Sequence, residues 1–382
     1  MVKSITKKQT MYLLLICLIG TKFQRLPSFL ADISGKDFWL VLFIYLLIDG
    51  LFLSITCKII NLGNGATLYE LLEKTIGKIF TKILFVILSI YFLMLAILPY
   101  ESVHEVFADI IFDSLPWRYF AVFVLIAIAC IAISGLRNIG RICQCFFYVI
   151  VIGIVGLFIL GATTSDPSAI LPITDVMLSS VGEGLYKSTI WFGNFTILFV
   201  LMGKIKNQED GKFGGLKLSF YLGSLFVAAA FMVFYGIYQN TTPLKRNWLT
   251  KVSQFALLSL DVGRIDWFLI LFAELATIIT AGIFIYCSAF CFREVIGAKK
   301  INIIVYSLLL ILYLNTSVII KGKLDIFRFF ITYGAGFGIF VQYALPLFFL
   351  IVAFIYNKKF VSKNELDKFK YNGKNKKSEV KA

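Results

Sequence analysis

The stretch QTMYLLLICLIGTKFQRLPSFLA at residues 9–31 decides the fold. It is long enough to cross about 30 Å of hydrocarbon as a helix, yet Lys22 and Arg25 interrupt it and Pro27 follows them. A glycine, two cations and a proline inside an apolar run predict a helix that is broken at membrane depth. Such breaks are tolerated only where they line a cavity or lie buried in protein. The alternative is an unbroken helix from which Lys22 and Arg25 extend to the outer headgroups.

The composition of the whole chain places it in a membrane. Of its 382 residues, 59% are hydrophobic and only 15% are charged, and the mean hydropathy is +0.87. Soluble domains are about 45–50% apolar and about 25% charged, so this composition excludes most soluble classes. The formal net charge of +15 raises the question of nucleic acid. The basic residues are scattered over short loops and a tail, however, which fits a membrane protein and predicts no nucleic-acid partner.

Ten apolar windows are long enough to cross a bilayer, so we predict an all-α integral membrane protein with ten transmembrane helices. Most of the 37 lysines and arginines lie in alternate connections and at the two ends, and the positive-inside rule therefore predicts that both termini are cytoplasmic. Residues 1–356 are expected to form the transmembrane domain, and residues 357–382 a basic disordered tail. The predicted spans are 9–31, 37–58, 83–111, 118–136, 142–161, 182–203, 215–238, 266–292, 301–320 and 331–356.

The sixth span carries a second interruption. Gly193 and Asn194 lie near its middle, directly after Trp191 and Phe192. Because spans 1 and 6 open the two halves of a ten-helix chain, interruptions at both positions indicate a binding site between them. The alternative is a packing glycine beside an asparagine that forms a hydrogen bond to a neighbouring helix.

Ionisable residues at membrane depth are a further sign of function, because each costs about 2.5–3.5 kcal/mol at a helix centre unless it is paired or hydrated. Glu274 in span 8 lies at nearly the same predicted depth as Lys22 and Arg25, and we predict an ion pair with one of them. Thr277 continues roughly the same face of this helix. Asp49 in span 2 has no depth-matched basic partner other than the same two residues.

The sequence carries no pattern typical of an enzyme or a metal centre. It has no nucleophile elbow, phosphate loop, metal-ligand cluster or histidine-based triad, and it contains one histidine. The seven cysteines have neither disulfide-scaffold nor zinc-site spacing. We therefore predict a protein without catalytic activity, cofactor or metal.

Four segments together resemble the B-subunit (GerAB-type) spore germination permeases. They are the opening SITKKQTMYLLLICLIG…LPSFLADISGKDFWLVL, the connection TLYELLEKTIGKIFTKIL, the stretch ILPITD before span 6, and GRIDWF before span 8. The resemblance runs over nearly the whole chain in order and in spacing. It implies the permease-like fold of the amino acid/polyamine/organocation (APC) transporter superfamily. That fold has two inverted five-helix repeats, with helices 1 and 6 broken around a ligand site at the midplane.

The resemblance also implies a function and a location. The chain would be the ligand-sensing membrane subunit of a nutrient germinant receptor, beside an A subunit and a C lipoprotein, in the inner membrane of the dormant spore. Span 8 would lie beside span 1, which brings Glu274 towards Lys22 or Arg25. The chain departs from the family at both breaks. The run from Thr21 to Arg25 replaces small and aliphatic residues, and Asn194 stands where the family usually has an acid.

Three functions are compatible with the sequence. In a receptor subunit, a small-molecule nutrient such as an amino acid would lie between the breaks, with its carboxylate near the backbone amides of Gly20–Phe23. Trp191 and Phe192 would cover the ligand, and Asn194 would form a hydrogen bond to it. The second function is a proton-coupled amino-acid transporter that uses Glu274, and the third is a structural subunit that binds no ligand. The candidate ligand-binding residues are Gly20, Thr21, Lys22, Phe23, Gln24, Trp191, Phe192, Gly193 and Asn194, and the candidate coupling residues are Arg25, Asp49, Glu274 and Thr277.

Overall fold

The chain folds into α-helices in the computed structural model, which describes residues 4–23, 25–110, 117–171, 176–206, 213–245, 250–252, 266–319 and 330–361. Within these ranges there is no β-strand, and one isolated bridge pairs Ile5 with Ile205. The helices are α1 (Lys7–Lys22), α2 (Leu26–Ser34), α3 (Phe38–Leu62), α4 (Leu68–Ile76), α5 (Lys78–Ile110), α6 (Trp117–Ile133), α7 (Leu136–Ala162), α8 (Leu178–Ser188), α9 (Ile197–Leu201), α10 (Gly214–Tyr238), α11 (Asp266–Ile296), α12 (Ile301–Ile319), α13 (Ala335–Ile339) and α14 (Leu345–Tyr356).

Local sequence explains where several helices begin and end. At the start of α1, the Gln9 N–H donates to the Thr6 hydroxyl (3.2 Å) and the Thr6 N–H donates to the Gln9 carboxamide (3.1 Å), which is a capping box. Thr67 and Glu70 form the same arrangement at the start of α4. Gly77, with φ 91°, then ends α4 and allows α5 to begin at the next residue.

Six apolar segments of the described chain are long enough to cross a membrane, and the protein is therefore a multi-pass helical membrane protein. The count of ten crossings stays a prediction. In the two interrupted spans, α1 has 16 residues and α8 has 11, and each is shorter than the roughly 20 that one unbroken crossing needs. The six segments are Leu26–Leu62, Lys78–Val103, Leu136–Ala162, Gly214–Leu244, Trp267–Ile296 and Ile331–Phe360, and two shorter apolar helices are Ala121–Ile133 and Ile301–Leu314.

Helix α11 is central to the packing, because it contacts α1, α5, α6 and α7. Ser288 donates to the carbonyl of Ser89 in α5 (2.8 Å), and Ser89 donates back to the carbonyl of Ser288 (3.0 Å). Gly20 of α1 lies so close to α11 that an added Cβ would be 2.3 Å from Thr280 Oγ1 and 2.6 Å from the Ala276 carbonyl oxygen. Small residues at such contacts allow membrane helices to approach closely. Span 8 therefore lies beside span 1, as the resemblance implies.

One end of the bundle joins the N-terminus to the ends of several helices. The Ile5 N–H donates to the Lys204 carbonyl (2.9 Å), and the Lys206 N–H donates to the Ile5 carbonyl (2.8 Å). The Lys7 ammonium lies 5.3 Å from the centroid of the Phe213 ring, next to the start of α10. The positive-inside rule predicts that this lysine-rich end faces the cytoplasm.

The last helix extends past the predicted end of the transmembrane domain at residue 356. The segment Asn357–Val361 continues α14 as a π-helical turn. The Asn357 carboxamide donates to the Leu62 carbonyl at the end of α3 (3.0 Å), so this turn is packed on the bundle. Residues 362–382 of the predicted tail lie outside the described residues.

Candidate ligand site at two broken helices

The first predicted span is interrupted between α1 and α2. Helix α1 ends at Lys22, after which the Phe23 N–H still donates to the carbonyl four residues earlier (3.1 Å), and α2 begins at residue 26. The Lys22 side chain is only 3% exposed, so it is buried within the protein and does not extend to the headgroups. Arg25 is half-buried, and Gln24 lies outside the described residues.

The backbone amides of Gly20–Phe23 do not form the predicted carboxylate site. These residues belong to the last turn of α1 and its cap, and the Phe23 amide is already bonded to Ile19. The end of α1 presents carbonyl groups, which form the negative end of the helix dipole. The positive group at this position is the Lys22 side chain. An anionic ligand at the first break would therefore contact Lys22 and not the amides of Gly20–Phe23.

The second break separates α8 from α9 at residues 189–196. Gly193 adopts a left-handed conformation with φ 71° that strains any residue with a side chain, and an added Cβ would lie 2.4 Å from Gln342 Cδ. The Gly193 N–H donates to Asp49 Oδ2 (3.1 Å), and the Gln342 carboxamide donates to the Thr189 carbonyl (3.0 Å). Side chains of other helices thus replace hydrogen bonds that the backbone gives up where it leaves the helix.

The two breaks contact each other directly. The Asn194 carboxamide donates to Thr21 Oγ1 (3.0 Å), and the Thr21 hydroxyl in turn donates to the Cys17 carbonyl (2.8 Å). On the side of α2, the ring centroids of Trp191 and Phe29 lie 5.0 Å apart. Asn194 therefore forms an interhelical hydrogen bond, which the packing alternative predicts, and the same bond brings the second break to α1.

Lys22 and Asp49 bring two opposite charges to the second break. Both are buried, at 3% and 1% exposed, and they attract each other electrostatically. The Lys22 ammonium lies 4.8 Å from the centroid of the Phe192 ring, which stacks on Tyr45 at 3.6 Å. This ammonium has no hydrogen-bond partner within the described residues, whereas Asp49 also accepts a long hydrogen bond from the Tyr343 hydroxyl (3.4 Å). A buried ammonium of this kind is suited to an anionic group.

Glu274 and Thr277 lie on the buried face of α11, and each is 1% exposed. The structure removes one of the two predicted ion-pair partners of Glu274, which were Lys22 and Arg25. Since the Lys22 ammonium has no hydrogen-bond partner in the part of the chain that the structure describes, Arg25 is the remaining candidate. That pairing stays a prediction.

A cavity of about 10 Å³ lies at the first break. This is about the room that a single water molecule needs, so the site is closed in this conformation and an amino acid can enter only if its walls separate. The cavity is lined by Gly20, Thr21, Arg25 and Trp191 from the two broken spans and by Leu98, Pro99, Glu101 and Ser102 from α5.

Sequence reasoning missed three residues that hold the second break, namely Tyr45, Gln342 and Tyr343. The Tyr45 hydroxyl forms a hydrogen bond with Thr189 Oγ1 (2.9 Å). The sequence could have indicated Gln342, because a carboxamide within an apolar span needs a hydrogen-bond partner. Tyr45 lies one helical turn before Asp49 and therefore on the same face of α3, but one tyrosine in an aromatic-rich chain gives no signal of its own.

Comparison with known proteins gives a family and two proteins of similar fold. The family model described as Spore germination protein matches residues 4–323. The chain is similar to the structure of MhsT in complex with L-phenylalanine, with a TM-score of 0.58 and 14% identity, covering 90% of this chain and 98% of that chain. It is also similar to the Eremococcus coleocola manganese transporter in complex with an aromatic bis-isothiourea substituted compound, with a TM-score of 0.52 and 12% identity, covering 93% and 89% of the two chains. Both neighbours are LeuT-fold, APC-like transporters. A comparison with curated proteins gives no match.

Proposed function

The chain belongs to the spore germination protein family, and from this premise we propose that it is the membrane subunit of a nutrient germinant receptor. It senses a small-molecule nutrient such as an amino acid where the two broken helices meet. The proposal includes ten crossings in two inverted five-helix repeats, with both termini in the cytoplasm. It also includes the spore inner membrane as the location, and an A subunit and a C lipoprotein as partners.

The buried ammonium of Lys22 is the observation that carries the proposal. It lies over the Phe192 ring and has no hydrogen-bond partner within the described residues. Because a buried ammonium without a hydrogen-bond acceptor is costly even when a carboxylate attracts it, its presence is explained if a ligand supplies the missing acceptor. Asp49, which already accepts the N–H of Gly193, offers a carboxylate to a ligand ammonium. An amino acid carries both complementary groups.

The closed cavity requires a conformational change before a ligand can bind. The half-helices α2 and α8 are joined, since Ser34 Oγ donates to the Ser180 carbonyl (3.1 Å) and an added Cβ on Gly184 would lie 2.4 Å from Ser34 Oγ. Helix α1 is held against α11 instead. Opening therefore moves α2 and α8 together relative to α1. A ligand that binds only the opened conformation shifts the equilibrium towards it, and partner subunits would detect this shift.

A proton-coupled amino-acid transporter is the second candidate function. The structural neighbours are transporters, and the buried Glu274 of α11 is a group that could carry a proton. Transport predicts uptake by the isolated chain in proteoliposomes, whereas a receptor predicts saturable binding without flux. A structural subunit without a ligand, the third candidate, predicts neither.

A thermal-shift screen of the full-length protein in detergent tests the proposal. The compounds are the common amino acids, nucleosides and sugars. A ligand at a hundred times its dissociation constant stabilises the folded state by about 2.7 kcal/mol. We expect an amino acid to raise the melting temperature, and Lys22→Met and Asn194→Ala to abolish this rise. The matched controls Lys82→Met and Asn138→Ala, which lie away from the breaks, should keep it.

The outcomes separate the three functions. A response that both site variants lose and both controls keep supports sensing at the breaks. The same response together with uptake of the compound into proteoliposomes favours the transporter. If no compound changes the melting temperature, sensing by this chain is contradicted and the structural subunit is favoured.

A further inference from the structure

A second, larger cavity lies at the end of the bundle that carries the N-terminus. Its volume is about 530 Å³, which is within the usual range of small-molecule sites, about 300–1,000 Å³. It lies between the last two turns of α3 and the start of α10, two helices that pack together, and it shares no lining residue with the cavity at the first break. The lining residues are Ser54, Cys57, Lys58, Asn61, Phe213, Gly214 and Lys217.

The lining of this cavity is positively charged. Lys58 and Lys217 enter it from the two facing helices, and no acidic residue of the described chain is among its lining residues. Neither lysine takes part in an ion pair of the described chain. The Asn61 carboxamide oxygen is buried and has no hydrogen-bond partner there; because it is an acceptor, it would take a hydrogen bond from a headgroup hydroxyl and not from a phosphate oxygen. Lysines that have no carboxylate partner in the part of the chain that the structure describes, and that lie at the edge of an apolar bundle, favour an anionic occupant.

The start of α10 adds to the positive potential of the cavity. The first two residues of this helix, Gly214 and Gly215, have open space where a Cβ would be, so an occupant can approach the backbone N–H groups of the first turn. These N–H groups form the positive end of the helix dipole and attract phosphate groups. The charge of Lys217, one turn into the helix, acts in the same direction.

The surface beside the cavity is apolar. Leu51 of α3, one turn before Ser54, is exposed, as are Leu218 and Leu222 of α10. In a membrane these leucines face acyl chains, while the lysines lie at the level where α3 ends and α10 begins. We propose that the cavity binds the phosphate headgroup of an anionic phospholipid, with Lys58 and Lys217 contacting the phosphate and the acyl chains lying along the exposed leucines.

The bound headgroup would connect α3 to α10 near the candidate ligand site. Gly50 of α3 is packed against Tyr221 of α10, with an added Cβ only 2.3 Å from the tyrosine oxygen, and the next residue towards the N-terminus is Asp49. A lipid that holds these two helices together therefore stabilises the helix that carries Asp49. We expect anionic lipid to raise the thermal stability of the whole protein.

Lipid titration of the full-length protein tests this inference. The detergent-solubilised protein receives phosphatidylglycerol or phosphatidylcholine with identical acyl chains, and retained lipid is counted by native mass spectrometry while the melting temperature is recorded. Two further arms contain inorganic phosphate and glycerol 3-phosphate. The test variant is Lys58→Gln with Lys217→Gln. The matched control is Lys74→Gln with Lys78→Gln, which removes the same charge from exposed residues outside the cavity.

We expect one phosphatidylglycerol to be retained and to stabilise the wild type more than phosphatidylcholine does. The test variant should bind it about 30-fold more weakly, because each lysine near an anionic surface contributes about a fivefold factor to binding. The control variant should bind like the wild type. Equal weakening in both variants would overturn the inference, since the effect would then be general surface charge. If inorganic phosphate or glycerol 3-phosphate stabilises the protein as much as phosphatidylglycerol does, the proposed lipid is wrong and the cavity binds a soluble phosphate.

Discussion

The two helix breaks differ in how each is stabilised. The first break is short and carries Lys22 at its edge, and α1 on its inner side is fixed against α11 through Gly20. The second break, residues 189–196, has no charged residue. The backbone changes direction at Gly193, which has a left-handed conformation. Backbone N–H and C=O groups of this break form hydrogen bonds with side chains of other helices. Asp49 serves both breaks, because it accepts the Gly193 N–H and attracts Lys22.

This difference separates two tasks of the site. The first break supplies charge to a ligand, because its backbone amides are already bonded within α1. The second break supplies a non-helical backbone segment, and its hydrogen bonds with Asp49 and Gln342 keep this segment from becoming helical. Substitutions at the second break should therefore cost the most stability, and substitutions of charge at the first break should cost less stability and also remove ligand binding.

The largest effect is expected for Gly193→Ala. The new side chain would occupy a left-handed conformation, which costs of the order of 1–3 kcal/mol, and would collide with Gln342, where overpacking costs about 1–3 kcal/mol more. We expect a loss of about 3 kcal/mol or more, visible as a large drop in melting temperature and in the yield of monodisperse protein.

The matched control is Gly182→Ala in α8. Gly182 has open space around its missing side chain and lies within a regular helix, so alanine should be neutral or stabilising by about 0.4–1 kcal/mol. If both variants have the same melting temperature, the special backbone conformation of Gly193 is not what shapes the second break.

Local sequence predicts the positions of both breaks but not the contacts that hold them. The run from Gly20 to Pro27 and the pair Gly193–Asn194 stand out because they interrupt apolar helices, and these signals need no knowledge of other helices. By contrast, the hydrogen bond between Asp49 and the Gly193 N–H depends on how α3 packs against the second break. No local pattern specifies that packing.

The wrong prediction at the first break has the same origin. A carboxylate site at the amides of Gly20–Phe23 assumes that a new helix begins there, whereas α1 continues to Lys22. Glycine and threonine are weak helix breakers inside a membrane span, because neighbouring helices satisfy and hold the backbone. The proline at position 27 marks the start of α2 instead.

The second-largest effect is expected from Lys22 and Asp49. Lys22→Met leaves Asp49 without its attracting cation, and Asp49→Asn leaves Lys22 without its anion, so each should cost about 2 kcal/mol or more. The double variant should be more stable than the sum of the two losses predicts, with a coupling energy of about 1 kcal/mol or more. Melting temperatures of the four proteins measure this coupling.

The comparison of these four proteins is a double-mutant cycle, and it has one control variant and one outcome that would contradict it. Asp32→Asn removes an exposed acid from α2 and should change the melting temperature little. Additive losses in the double variant would mean that Lys22 and Asp49 do not act on each other, and the assignment of charge to the first break would then fail.

A smaller effect is expected for Gly20→Ala, which tests the anchoring of α1. Its Cβ would meet the Ala276 backbone carbonyl, which cannot move aside easily, and we expect a loss of about 1–2 kcal/mol from overpacking. Gly223→Ala is the matched control, because its Cβ would meet only the flexible ends of the Leu15 and Leu18 side chains. Equal melting temperatures for the two variants would show that α1 is not held tightly against α11.

The last effect depends on pH and concerns a second lysine with a buried ammonium, Lys204, just beyond α9. Its ammonium is buried 3.0 Å from the centroid of the Phe290 ring and has no hydrogen-bond partner within the described residues. Burial, together with the guanidinium of Arg293, lowers the pKa of Lys204 to about 7, although Glu294 opposes this effect. The end of the second broken span thus carries a lysine over an aromatic ring, as the first break does, and the described acid that acts on it is Glu294.

The sign of the pH dependence follows from this lowered pKa. Between pH 7 and the ordinary lysine pKa of about 10.4, the unfolded chain binds the Lys204 proton and the folded chain does not. The free energy of unfolding therefore rises with pH by up to about 1.4 kcal/mol per unit in this window, and the penalty of the buried charge is fully present below pH 7. Melting temperatures are recorded from pH 6 to 9. That of the wild type should rise with pH relative to that of Lys204→Met. The control Lys206→Met, which removes an exposed neighbouring lysine, should have the same pH profile as the wild type. Parallel profiles for all three proteins would show that the Lys204 ammonium is solvated in the folded protein.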